Sequence, residues 1–196
     1  SALVTQGSEV CVTGVGINKT RAGLFECLQK MGARLDIQER GFVGGEPIAD
    51  ITARYTKLQG IQVPADYAPR MIDEYPILAV AAACAQGETI MHGLGELRVK
   101  ESNRFASILE GLAACGVRAW ESGDSIKIRG CEGVWETELL PKITTHGDHR
   151  IAMAFSVMGL TSTGGLLIDD TSMVETSYPS FWRDMEGLGA AICWKS

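Results

Sequence analysis

Residues 96–104 read ELRVKESNR, three cations and two acids in nine positions, directly ahead of the run FASILEGLAACG. The spacing of that run predicts an amphipathic helix, and the unpaired N–H groups at a helix start favour negative charge. Arg98, Lys100 and Arg104 therefore stand where the dipole disfavours them, in a chain whose net charge is −6. A phosphate or carboxylate lying between these cations and the N–H groups satisfies both. Ser102 and Asn103 are suited to cap the helix. Without a ligand Glu101 ionises readily among the cations, and a bound anion raises its proton affinity. The same residues are also open to a second reading, a solvated salt-bridge network on a helix shoulder.

HGDHRIAMAF repeats the pattern, with His149 and Arg150 opening a helix just behind Asp148. Such an arginine forks onto carboxylate or phosphate, and a histidine changes protonation near neutral pH. His146 and His149 lack a third ligand at metal spacing, so no metal is expected. MIDEYPILAV opens another helix with Asp73 and Glu74, which are proton-transfer candidates or simple capping charges.

The elements that must position these residues form a repeat. LFECLQKMGA, ILEGLAACGV and FWRDMEGLGA align on Gly32, Gly116 and Gly189. In each, apolar residues fall one, four, seven and eight positions earlier (Met31, Leu28, Phe25 and Leu24 in the first copy). That spacing makes one helical face closed by a C-terminal glycine. A glycine and a β-rich run precede each helix: GSEVCV from Gly7, GETIMH from Gly87 and GGLLID from Gly164. DEYPILAVAAACAQ and DHRIAMAFSVMGLTST add a leading helix to copies two and three, and VRAWES-GD-SIKIRG reads as a hairpin. The expected fold is α/β, a helix–strand–helix–strand–strand unit used three times and incomplete at both ends. Equivalent helix starts would then turn toward one face, gathering Arg98, Lys100, Arg104, His149 and Arg150 around a small polyanion, with Asp73 and Glu101 beside it.

Bulk properties narrow the function classes. The acidic balance argues against a nucleic-acid or anionic-membrane surface. YPILAVAAACA is too short to span a bilayer, and SALVTQGSEV does not read as a signal peptide. The six cysteines form no C-x-x-C pair and read as reduced core residues of a cytoplasmic protein.

DEYPILAVAAACAQGET, LRVKESNR and DHRIAMAF, in that order and at this spacing, resemble the 5-enolpyruvylshikimate-3-phosphate (EPSP) synthase family. The resemblance covers essentially the whole chain. It is greatest to the bacterial class with NxTR (Asn18, Lys19, Thr20, Arg21) and a TSYP-like segment. It implies a two-domain enzyme, each domain a pseudo-threefold set of βαβαββ units in an inside-out α/β barrel. Residues 1–196 correspond to the C-terminal domain, with the N-terminal domain as partner. The implied reaction transfers the enolpyruvyl group of phosphoenolpyruvate to the 5-hydroxyl of shikimate 3-phosphate and releases phosphate, with neither metal nor organic cofactor.

Carried over by motif, Asp73 contacts the shikimate hydroxyls and is a candidate base, and Lys100 lies between the substrates. Glu101 moves the proton at the methylene carbon, while Arg104 and Arg150 grip phosphoenolpyruvate with His149 beside them. Thr176 stands where many members carry lysine, and Glu96 where some carry asparagine. Two alternatives differ in class. The sister transferase acting on a UDP-sugar lacks the RVKES and DEYP pattern. A non-catalytic anion-binding or interaction domain would retain the fold without turnover. On the first reading, this chain alone is expected to be inactive.

Overall fold

The structure, a computed structural model, describes residues 1–132, 135 and 140–194. The first repeat unit contains β1 (Glu9–Gly16), α1 (Gly23–Lys30), β2 (Arg34–Val43) and β3 (Glu46–Arg54). The second contains β4 (Gln62–Val63), the short α2 (Ala68–Met71), α3 (Tyr75–Ala83), β5 (Glu88–Met91), α4 (Arg104–Ala114), β6 (Arg118–Ser122) and β7 (Ser125–Arg129). The third contains β8 (Lys142–Ile143), α5 (His149–Gly159), β9 (Leu167–Ile168), α6 (Val174–Ser177) and α7 (Phe181–Gly187).

Sheet order makes the repeat explicit. The second sheet runs β4-β5-β7-β6, the first β1-β3-β2, and the third β8-β9. The first sheet is thus the second without its leading strand, and the third is the second without its hairpin. Register agrees as well. Arg54 faces Glu9 and Arg34, as Arg129 faces Glu88 and Arg118. Each leading strand is parallel to its neighbour, β4 to β5 and β8 to β9. These two-residue strands precede the unit read from the sequence and complete βαβαββ; they are too short to leave a period-2 signature.

The three closing glycines hold the left-handed conformation that ends a helix without a Cβ clash, at φ +86°, +72° and +98° for Gly32, Gly116 and Gly189. The apolar faces they close point inward for Met31, Ile108, Leu112, Cys115, Phe181 and Met185. Leu188, aligned with Met31 and Cys115, is instead 58% exposed. In the third unit the turn glycine with positive φ is Gly165 rather than Gly164.

Eight of the nine α3 residues are buried, which fits its continuous apolar sequence, and it packs against α4 and α5 at the centre of the core. α4 and α5 approach closely at Gly111, where an added Cβ would lie 2.2 Å from Cζ of the buried Phe155. Gly111→Ala is expected to destabilise the chain by about 1–3 kcal/mol in urea titrations, the clash outweighing alanine's better helix propensity. Cys27, Cys84 and Cys115 are free thiols buried in the core, whereas the free thiols of Cys11 and Cys193 are exposed. Burial pushes the Cys84 and Cys115 thiols up to about 12, far from thiolate chemistry. Among the described residues no helix is long and apolar enough to cross a membrane.

Candidate active site

Three helix starts meet at one buried guanidinium. Asn103 caps α4, its side chain accepting from the Ala106 N–H, and leaves Arg104 as the first helical residue. Asp148 caps α5 by accepting from the Arg150 N–H at 2.9 Å. α3 behaves differently from the reading of its sequence. A 3-10 turn, Ile72–Glu74, precedes it, and no side chain caps it. Pro76, in the first turn of α3, fits a helix start there and removes a donor that needs no cap. Asp73 is thereby released from capping and turned toward Arg104.

Arg104 has a fully buried side chain and meets three carboxylates. Its Nε donates to Asp148 at 2.7 Å and its Nη1 to Asp73 at 2.7 Å, while Nη2 lies 2.5 Å from Glu101. Burial alone would ease the proton off Arg104, but Asp148, Glu101 and Asp73 outweigh it and hold the guanidinium charged. Burial pushes the Asp148 carboxyl up. The Arg104 hydrogen bond and charge, the Arg150 N–H and Ser102 overcome this and keep it below the usual carboxylate range. A carboxyl depressed on folding stabilises above its unfolded value of about 3.9 and loses that contribution as pH falls through its folded value. Stability of the chain is therefore expected to hold from neutral pH to about pH 5 and to fall below about pH 4. Asp148→Asn is expected to flatten that fall, as read by urea midpoints across pH.

Around Asp73 the cations are arranged more loosely. Lys100 and Arg150 each lie 3.8 Å from its carboxylate, and Arg150 also donates to the Asp73 carbonyl at 3.1 Å. Lys100 pairs with Glu96 at 2.9 Å, whose hydrogen bond raises its proton affinity and keeps it a cation. Glu74 is pushed up by burial against the pull of Arg150, 3.9 Å away. His149 begins α5 half-buried, in the same turn as Arg150.

Thus Asp73, Lys100, Glu101, Arg104, His149 and Arg150 come from the ends of α3, α4 and α5 and the turn before α4, as the threefold reading requires. Arg98 does not join them. Its guanidinium lies over the Phe105 ring, 3.8 Å from the centroid, and bonds Glu121 at 2.8 Å, strapping the 96–104 segment to the β6–β7 hairpin. The expectation of a cation-rich face also needs correction. Lys100, Arg104 and Arg150 are answered by five carboxylates, Asp73, Glu74, Glu96, Glu101 and Asp148. The sequence placed Asp148 only as the residue ahead of His149 and Arg150, and nothing in its spacing from Arg104 signals their contact. Thr176, at the departed lysine position, spends its hydroxyl on the Met173 carbonyl.

A family model described as EPSP synthase (3-phosphoshikimate 1-carboxyvinyltransferase) matches residues 1–185. The chain belongs to the EPSP synthase family. Among its relatives, the 3-phosphoshikimate 1-carboxyvinyltransferase of Paramagnetospirillum magneticum is 48% identical over 192 residues, covering 98% of this chain and 43% of that protein. The enzyme of the same name from Rhodospirillum rubrum is 49% identical over 196 residues, 98% of this chain and 42% of its own length. A solved EPSP synthase from Acinetobacter baumannii superposes with a TM-score of 0.90 at 44% identity, covering 96% of this chain and 43% of that one. The enolpyruvyl transferase NikO from Streptomyces tendae, 23% identical with a TM-score of 0.73, shares the fold. The chain spans less than half the length of these EPSP synthase relatives. The pseudo-threefold α/β architecture is therefore that of the EPSP synthase family.

Proposed function

We propose that this chain is the C-terminal domain portion of a cytoplasmic 3-phosphoshikimate 1-carboxyvinyltransferase. In this reading its partners are phosphoenolpyruvate, shikimate 3-phosphate and the N-terminal domain of the same enzyme. The observation that carries the reading is the convergence of Asp73, Lys100, Glu101, Arg104 and Arg150 at meeting helix starts. Asp73 takes the shikimate hydroxyls and serves as base when the 5-oxygen attacks the central carbon of phosphoenolpyruvate. Glu101 delivers a proton to the methylene carbon, forming the tetrahedral intermediate, and takes one back as the C–O bond to phosphate breaks. Lys100 lies between the substrates, and Arg104, Arg150 and His149 hold the phosphoenolpyruvate anion. Fixed cations orient two anionic substrates and stabilise the intermediate without metal or cofactor.

Five carboxylates already pair with Lys100, Arg104 and Arg150, which weakens the chain's own half of the site as a receptor for a polyanion. The N-terminal domain is needed to supply further positive charge and the rest of the shikimate-phosphate pocket. Phosphate release from phosphoenolpyruvate plus shikimate 3-phosphate is expected only when this chain is mixed with the separately produced N-terminal domain. Silence in the mixture, with both parts folded and associated, favours the second reading, a non-catalytic domain whose carboxylates permanently close its cations.

A further inference from the structure

Arg104 is satisfied unevenly. Nε and Nη1 make 2.7 Å hydrogen bonds to Asp148 and Asp73. Nη2 is buried and near Glu101, but off the hydrogen-bonding line, so that N–H has no aligned acceptor. A misaligned, buried guanidinium donor is a costly arrangement, and an acceptor able to approach it correctly is favoured.

The three carboxylates on Arg104 also differ in how freely they leave. Asp148 is fully buried and tied to Ser102 and the Arg150 N–H. Asp73 is 40% exposed and shared with Lys100 and Arg150. Glu101 is 57% exposed, follows the 3-10 turn rather than a helix, and holds only Arg104 among the described ion pairs. Turning Glu101 outward therefore returns a charge to water and breaks one unaligned contact. Charge balance points the same way, since a guanidinium already facing three carboxylates takes another anion more readily when one of them withdraws.

We propose that Glu101 is a displaceable occupant of the anion position on Arg104. A carboxylate or phosphate oxygen takes its place at Nη2, and Glu101 swings to the flank of the bound anion. The proposal rests on Arg104 being an anion-binding residue, as in the synthase reading. It adds that substrate arrival itself delivers Glu101 to its working position, by exchange of one anion for another on a fixed guanidinium.

The test is titration of this chain, mixed with the separately produced N-terminal domain, with inorganic phosphate, followed by the NMR signals of the Arg104 guanidinium. Glu101→Gln removes the competing charge and is expected to tighten phosphate binding about tenfold, the gain when a nine-tenths occupied position is freed. Glu110→Gln is the control. It removes the same charge ~9 Å along α4, where Glu110 pairs with the exposed His146. Its effect is expected to stay within about twofold because exposed charges are screened. An equal gain in both variants, no gain in Glu101→Gln, or Arg104 signals indifferent to phosphate would each overturn the exchange. Phosphate release by unaltered chain plus N-terminal domain is measured in parallel. Turnover without the Glu101→Gln gain leaves the synthase reading standing and removes the exchange, whereas the gain without turnover does the reverse.

Discussion

Asp148→Ala is expected to lower the unfolding free energy by about 3–5 kcal/mol, a large part of the 5–15 kcal/mol typical of a domain. Truncation leaves the Arg104 guanidinium buried with one of its two aligned acceptors gone. It also removes the α5 cap and the partner of Ser102. Asp148→Asn keeps the cap and a hydrogen-bonding oxygen but not the charge, and is expected to fall between wild type and alanine. Urea denaturation at neutral pH checks both. A loss below about 1 kcal/mol for alanine would mean that water or Glu101 replaces Asp148 on Nε, and the buried hub would not be what joins α4 to α5.

The second large effect is on chemistry. On the proposed synthase reading, Glu101→Gln in this chain mixed with the separately produced N-terminal domain is expected to cut turnover by about 10²–10⁴-fold, the usual worth of a positioned proton-transfer group. KM for phosphoenolpyruvate is expected to stay level or fall, because glutamine fills the same volume and no longer competes as an anion. Steady-state phosphate release gives both parameters. Unchanged turnover would remove Glu101 from the proton path and leave Asp73 as the nearest remaining carboxylate.

Helix faces were legible because their periodicity is local: Met31, Ile108, Leu112, Cys115, Phe181 and Met185 lie on the predicted sides. The closing glycines were legible for the same reason, since a left-handed residue after an apolar face has a residue-type signature. The tiny strands β4 and β8 were invisible, as two residues carry no period, although the resemblance implied them. The residue types at the helix starts singled out Asp73, Lys100, Glu101, Arg104 and Arg150, which the structure brings together. Their pairing did not follow from spacing. Asp148 and Arg104 are 44 positions apart, and Arg98 sits within six residues of Arg104 yet faces the β6–β7 hairpin. Which cation turns inward is decided by tertiary contacts, here the Phe105 ring and Glu121.

The Arg104 hub has a consequence for how the domain comes apart. Chains built from stacked repeats often lose their units one at a time, because each touches only its neighbours through similar interfaces. Here Arg104 and Asp73 belong to the second unit and Asp148 and Arg150 to the third, so the same bonds that shape the site also lock two units together. Separation of those units and loss of the site become a single cooperative event. A ligand that binds only the assembled hub then raises the melting temperature of both units together, in proportion to the logarithm of its concentration.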